Sequence, residues 1–235
     1  MYLHETLLKE CTGSIKGGGA YAFATKDGIN LLFEDENFKT FLQKGVYTLI
    51  VGTDDITNEH AINALIDLKR KYNERLIIKA YIHNNKSSTF HPKFSWFKKQ
   101  EGGLLVLGSG NLTQKGLRHN REAYSVIPYN DEDMDDFIEE WESWYSHSTP
   151  FLFDIDDPIV MVRAKQNSEQ TRAISVAKAS VKRFLPFRAN TVRICFVRQS
   201  RRKQSKSTHR QQLRYVLRFS VRDVRTEVPS IRYPR

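Results

Sequence analysis

Apolar residues in the first 150 positions fall into short runs of two kinds. VYTLIVGT (46–53), ERLIIKAYI (74–82) and GGLLVLGS (102–109) are nearly unbroken apolar stretches of strand length, the pattern of strands buried on both faces. PKFSWF (92–97) and EAYSVI (122–127) read as further strands. GGGAYAFAT (17–25) suits a buried strand, with the glycines as its lead-in turn. Helical spacing appears elsewhere. Asp27 can cap a short helix over GINLLF, and NFKTFLQKG has the pattern of a helix ending at Gly45. Thr57 or Asn58 can cap a helix whose apolar face carries Ala61, Ile62, Leu65, Ile66 and Leu68. DEDMDDFIEEWESWY (131–145) is amphipathic, with Met134, Phe137, Ile138, Trp141 and Trp144 or Tyr145 on one side. HNNKSST reads as a polar loop and NLTQKGL as a short helical turn.

Strands alternate with helices early and then follow one another closely. That order predicts an α/β domain with a mixed β-sheet flanked by helices over residues 1–150. A linker is expected over 151–162, around Asp156-Asp157-Pro158, and an irregular basic C-terminal tail over 163–235. No internal repeat is visible.

Charge sharpens that boundary. The chain of 235 residues carries a net +10, but residues 163–235 hold 20 Lys+Arg against 3 Asp+Glu. The first 162 residues are therefore mildly acidic, at −7. The basic residue changes too: 13 Lys and 4 Arg before the boundary, 5 Lys and 15 Arg after it. All 12 glycines lie at or before Gly116. Cys11 and Cys195 are too few for a disulfide framework or a cysteine-rich zinc site and read as reduced thiols. MYLHETLLKE lacks a basic stretch followed by a long apolar run, and no run approaches the roughly 20 residues of a membrane span. A soluble, cytoplasmic protein with no membrane partner is the expectation.

The chemistry concentrates in SSTFHPKFSWF (87–97). On an extended chain, His91 and Lys93 point to the same side, about 7 Å apart. LGSGNLT places Gly108, Ser109, Gly110 and Asn111 at the end of an apolar strand, and Glu122 opens the next. If sequential strands are neighbours, these strand ends converge. Gly108 and Gly110 let backbone N–H groups approach an anion without a Cβ in the way. Ser109 and Asn111 add side-chain donors, and Lys93 adds positive charge, which together make a phosphate pocket. A neutral His91 can attack phosphorus. Glu122 can hold the other ring nitrogen and fix its tautomer. The bland alternatives are a tight turn for GSGN and a surface ion pair with Arg118 or Arg121 for Glu122. His60, His83 and His119 lack metal-ligand spacing and read as surface residues, so no metal is expected. Trp96, Phe97, Trp141 and Trp144 read as core or interface.

FHPKF…LGSGNLT resembles the HKD signature of the phospholipase D superfamily, H-x-K-x4-D-x6-G-S-x-N. It is closest to the nucleases, in particular the HKD-type restriction endonuclease branch, where a glutamate follows the asparagine as Glu122 follows Asn111. AYAFAT, the VGTDD turn and TFHPK resemble that branch as well, over roughly residues 10–147. The motif's aspartate is Lys98 here, and the spacing to Gly108-Ser109 is longer. The resemblance implies a phospholipase D-like fold and metal-independent phosphodiester hydrolysis without a cofactor. His91 would form a phosphohistidine, a second histidine would protonate the leaving oxygen, and Lys93, Ser109 and Asn111 would stabilise the transition state. The reaction needs two motifs, and the chain has one H-x-K. A homodimer with its active site across the two-fold axis follows.

These expectations converge on a DNA endonuclease of restriction or defence type, with DNA ahead of RNA as substrate. A lipid phosphodiesterase of the same superfamily is the alternative, disfavoured by Lys98. A non-catalytic nucleic-acid-binding protein is a third reading, disfavoured by the intact His91, Lys93 and Asn111. The basic tail has two readings, phosphate neutralisation on nucleic acid or sequence joined to the domain by a frame change or fusion.

Overall fold

The computed structural model describes residues 2–84 and 88–184. In chain order the helices are α1 (Leu3–Cys11), α2 (Lys26–Phe33), α3 (Glu36–Lys44), α4 (Glu59–Tyr72), α5 (Asp131–Ser148) and α6 (Pro158–Phe184). The strands are β1 (Lys16–Tyr21), β2 (Val46–Gly52), β3 (Leu76–Tyr81), β4 (Lys93–Lys98), β5 (Gly103–Gly108), β6 (Tyr124–Tyr129) and β7 (Leu152–Asp154). One sheet joins all seven in the order β6-β5-β4-β1-β2-β3-β7. β1, β2 and β3 are parallel. β4, β5 and β6 form an antiparallel meander beside β1, and β7 closes the far edge against β3. The expected mixed α/β sheet is present.

Crossovers between parallel neighbours carry α2, α3 and α4, and these cover one face. There Tyr47, Leu49, Val51 and Phe97 meet Phe33, Phe38, Phe41, Leu65 and, from α1, Leu7. On the other face Trp141 of α5 packs near-perpendicular to Phe94 and at 6.0 Å from Trp96. Trp96, Phe97 and Trp141 are core residues, as their pattern suggests.

Several local readings change. The glycines of GGGAY lie inside β1 rather than in a turn before it. A Cβ at Gly18 would stand 2.7 Å from the Trp96 indole nitrogen, and one at Gly17 would stand 2.9 Å from the Trp96 carbonyl. The glycines therefore form the floor on which neighbouring rings lie. Thr25, not Asp27, caps α2, accepting from the Gly28 N–H. Asn58 caps α4, which leaves Thr57 for another bond described below. β6 begins at Tyr124, so Glu122 sits just ahead of it.

The stretch expected as a linker, 151–162, is built into the fold. It supplies β7 and the start of α6. Ile155, Val160 and Ala164 are fully buried and join the core against α4. The charged pattern that suggested a linker is used in pairing: Asp154 takes Lys79 at 2.9 Å, and Asp156 takes Lys69 at 2.7 Å. The basic segment thus begins as helix through Phe184, and residues 185–235, with Cys195, lie outside the described residues. Among the described residues no helix is long and apolar enough to cross a membrane.

At Gly19 a methyl group would lie 2.4 Å from the Tyr47 hydroxyl and 2.8 Å from Ser95 Oγ. Overpacking of this kind costs about 1–3 kcal/mol. Gly19→Ala is therefore expected to lower the urea midpoint without altering the slope, and an unshifted midpoint would show that the sheet can yield there.

Candidate active site

All the candidate side chains gather at one edge of the sheet. β1, β2 and β3 end at this edge, and because β4 runs against β1, it begins there. β5 ends there in turn, and β6 begins there. In open α/β sheets the crevice beyond the carboxyl ends of parallel strands is where ligands bind.

His91 precedes β4 and Lys93 opens it. The Lys93 Nζ lies 2.9 Å from His91 Nδ1 and 3.1 Å from Nε2, and also donates to the His91 carbonyl at 3.1 Å. A neutral imidazole has one unprotonated nitrogen, so at most one of these two ring contacts is a hydrogen bond from the ammonium. His91 is exposed and Lys93 is half-buried. Burial pushes the Lys93 ammonium below the usual lysine range, and the Glu122 carboxylate pulls it back up. Phe23 stands edge-on to the His91 ring, with centroids 6.3 Å apart.

Below this pair lies a buried hydroxyl network. Ser95 Oγ meets the Tyr21 hydroxyl at 2.7 Å and the Tyr47 hydroxyl at 2.8 Å. Burial pushes the Tyr21 phenol up to about 12, against the lowering effect of its bond to Ser95, and holds Tyr47 well above the ordinary range. Both phenols stay neutral and fix the strands from which Lys93 emerges.

The second half of the site leaves the end of β5. Ser109 exchanges two backbone-linked bonds with Ala123: its N–H donates to the Ala123 carbonyl at 2.9 Å, and its Oγ accepts the Ala123 N–H at 3.1 Å. Ser109 Oγ donates to Glu122, and Asn120 donates to the other Glu122 oxygen at 2.9 Å. Glu122 is therefore held by Ser109 and Asn120 across the β5–β6 pair, while the two nitrogens of His91 face Lys93. The expected Glu122 bond to the His91 ring is not the arrangement here, because the register places Glu122 beside Ser109. Glu122 acts on Lys93 through its charge.

Asn111 Oδ1 accepts the Phe23 N–H at 3.2 Å. That assigns the amide's orientation and leaves its NH₂ for another acceptor. Gly110 is buried, and a Cβ there would stand 2.5 Å from Leu3 Cδ2 and 3.4 Å from Glu122 Cγ. A Cβ at Gly108 would meet Tyr124 Cβ at 2.5 Å. These two glycines serve close packing of the loop against its neighbours. The loop closes with a single π-helical turn at Lys115–His119, braced by His4 against the Leu117 carbonyl at 3.2 Å.

Lys98 is engaged by Asp135 of α5. At an odd separation from Lys93 it belongs to the other face of the strand, away from the pair. Two residues join the site without a motif of their own: Asn120, in the loop before β6, through Glu122, and Phe23, just past β1, through Asn111 and His91. His83, read as a surface residue, is largely buried, 3.5 Å from Asp54. Among the described residues no group of three or more His, Cys, Asp or Glu side chains is placed to hold a metal ion.

No family model matches the chain, and no curated protein does. Among solved structures the chain is similar to the phospholipase D family member Nuc from Salmonella typhimurium. The identity is 11%, the match covers 64% of this chain and 88% of that one, and the TM-score is 0.47. It is also similar to NucT from Helicobacter pylori, at 14% identity over 64% and 89% of the two chains, with a TM-score of 0.43.

Lys93 is expected to titrate below the exposed lysines when its side-chain signals are followed by NMR against pH. Glu122→Gln removes the charge that raises it, so its midpoint moves lower still. A midpoint that rises or stays in place in that variant would show that Glu122 does not act on the ammonium.

Proposed function

We propose that the chain is a phosphodiesterase of the phospholipase D type that hydrolyses nucleic-acid backbone without a metal ion. The observation that carries this reading is the Lys93 ammonium set against both ring nitrogens of His91, at the edge where Ser109 and Asn111 also emerge.

In the proposed reaction His91 attacks phosphorus and the bond to the leaving oxygen breaks. The partner subunit's His91 gives that oxygen a proton. The resulting phosphohistidine is then cleaved by water, which loses its proton to the same second imidazole, and the P–N bond breaks to free His91. Lys93 and the Asn111 amide stabilise the charge that builds on the equatorial oxygens. The Ser109 hydroxyl gives its one proton to Glu122, so Ser109 holds that carboxylate in place beside Lys93 rather than donating to the phosphate. Gly108 and Gly110 keep the loop close enough for backbone donors to help.

A single chain supplies one H-x-K, so the reading requires a homodimer with the two His91 rings facing across its axis. The substrate is a phosphodiester chain, DNA ahead of RNA, and the role is that of a cytoplasmic restriction or defence endonuclease. The basic segment beyond Phe184 would add charge contacts to phosphates. The lipid phosphodiesterase reading gains nothing from Lys98, whose charge is taken up by Asp135.

Plasmid nicking in EDTA tests the proposal. Cleavage is expected to survive the chelator and to disappear in His91→Ala, a loss of at least about a thousandfold for a nucleophile. Nicking that stops in EDTA, or persists in the variant, would reject it. Light scattering on active protein is expected to give the mass of a dimer, and full activity from a strict monomer would reject the shared site.

A further inference from the structure

Beside its buried Val160 and Ala164, α6 meets the β2–α4 loop through two polar side chains one turn apart. Asn167 is buried, and its amide donates to the carbonyls of Thr53 at 2.6 Å and Thr57 at 2.8 Å. Arg163, four residues earlier, reaches Asp54 Oδ1 at 3.2 Å. Residues at i and i+4 share a helix face, so both grip the same β2–α4 loop. That loop does not end there. Thr57, freed from capping α4, turns its Oγ1 to accept the Ala24 N–H at 3.1 Å. Ala24 sits between Phe23, which donates to Asn111 Oδ1 and accepts from Leu112 N–H at 3.1 Å, and Thr25, which donates to the Leu112 carbonyl at 3.0 Å.

We infer that Asn167 is a positioning residue for the active site: through Thr57 and Ala24 it sets the place of the Asn111 loop, and so of the amide that meets the phosphate. The inference rests on the phosphodiesterase reading. The alternative is that Asn167 only satisfies two carbonyls inside a well-packed helix contact. The continuous sequence of bonds favours the first, because its links at 2.8, 3.1 and 3.2 Å are all hydrogen bonds and no step crosses more than one residue of backbone. A shift of about 1 Å in a catalytic group can cost a hundredfold in rate. Loss of a bond several residues away therefore reads out in turnover before it reads out in substrate affinity.

Asn167→Leu keeps the volume and removes both donors. Thr57→Val keeps the shape and removes the acceptor. Each, measured in the full chain, is expected to lower kcat roughly ten- to a hundredfold with KM unchanged. The double variant should lose no more than either single one, since both break the same connection. Val160→Ala loosens the packing of α6 without touching these bonds, and is expected to lower Tm while sparing kcat. Hydrogen exchange at the Leu112 amide should quicken in Asn167→Leu and Thr57→Val and not in Val160→Ala. The inference is overturned if folded Asn167→Leu keeps wild-type kcat and Leu112 exchange, if Val160→Ala loses as much kcat, or if the two losses multiply. Should Asn167→Leu not fold, Thr57→Val decides in the same way. Wild-type protein that cleaves nothing would reject the proposed function instead, and the exchange measurement would still answer for the connection.

Discussion

The site is held together by the backbone of four residues, Ala22–Thr25, where β1 runs on past the edge of the sheet. Ala22 N–H donates to the Pro92 carbonyl at 2.8 Å, between His91 and Lys93. Phe23 takes Asn111 on one side and Leu112 on the other, and a parallel bridge joins Ala24 to Leu112. One half of the site comes from the start of β4 and the other from a loop after β5. β5 pairs with β4 only up to Leu107, so beyond that pair the β1 extension ties the two halves together. Backbone bonds are the right means. An amide that has left water must find a partner or cost a few kcal/mol. A loop bonded at every residue therefore cannot drift without losing several bonds together.

Stiffness beneath the site has a different origin. Lysine gives up as much as about 2 kcal/mol of rotamer freedom when ordered, and holding Lys93 still requires that its strand not move. Ser95, two residues on, is pinned by two phenols. Those phenols fit because β1 has no side chain at Gly19. The glycine run, the two tyrosines and the serine are one device: three strands drawn close enough that a buried hydroxyl network spans them. A buried hydroxyl network of this kind rigidifies a core.

The fold class could be read from the order of apolar runs, because strand and helix periods differ and connection lengths fix which strands can be parallel. The ends of elements were less legible. The glycines of β1 carry a turn signal, yet tertiary contacts with Trp96 and Tyr47 override it. The 151–162 segment has the proline and acidic residues of a linker, but Ile155 and Val160 fill gaps that only the folded sheet creates. At the site, His91, Lys93, Ser109 and Asn111 stood out by type and spacing, since the chemistry of a phosphodiester asks for those groups. The partner of Glu122 did not. Whether a carboxylate reaches an imidazole or a serine depends on strand register, and register comes from packing across β5 and β6. Thr57 was equally ambiguous, for a threonine beside an asparagine at a helix start can cap or not. Here Asn58 caps and Thr57 is free to brace Ala24.

Electrostatics set a last constraint on how such a site can work. The first 162 residues carry more acid than base, so the domain as a whole does not attract a polyanion. Much of that acid lies on α5, in DEDMDDFIEEWESW, which packs against the Trp96 face of the sheet. Packed layers stand about 10 Å apart, whereas the Debye length at physiological salt is about 8 Å. Charges on the outer side of α5 are therefore largely screened from the carboxyl edge. What that edge presents is local: an ammonium partly stripped of water, an amide oriented by Phe23, and the Glu122 carboxylate held by the Ser109 hydroxyl. Burial costs Lys93 some of its proton affinity, and the Glu122 charge returns part of it. A site built this way derives its strength from fixed dipoles at short range, and the net charge of the domain around it matters little to the chemistry.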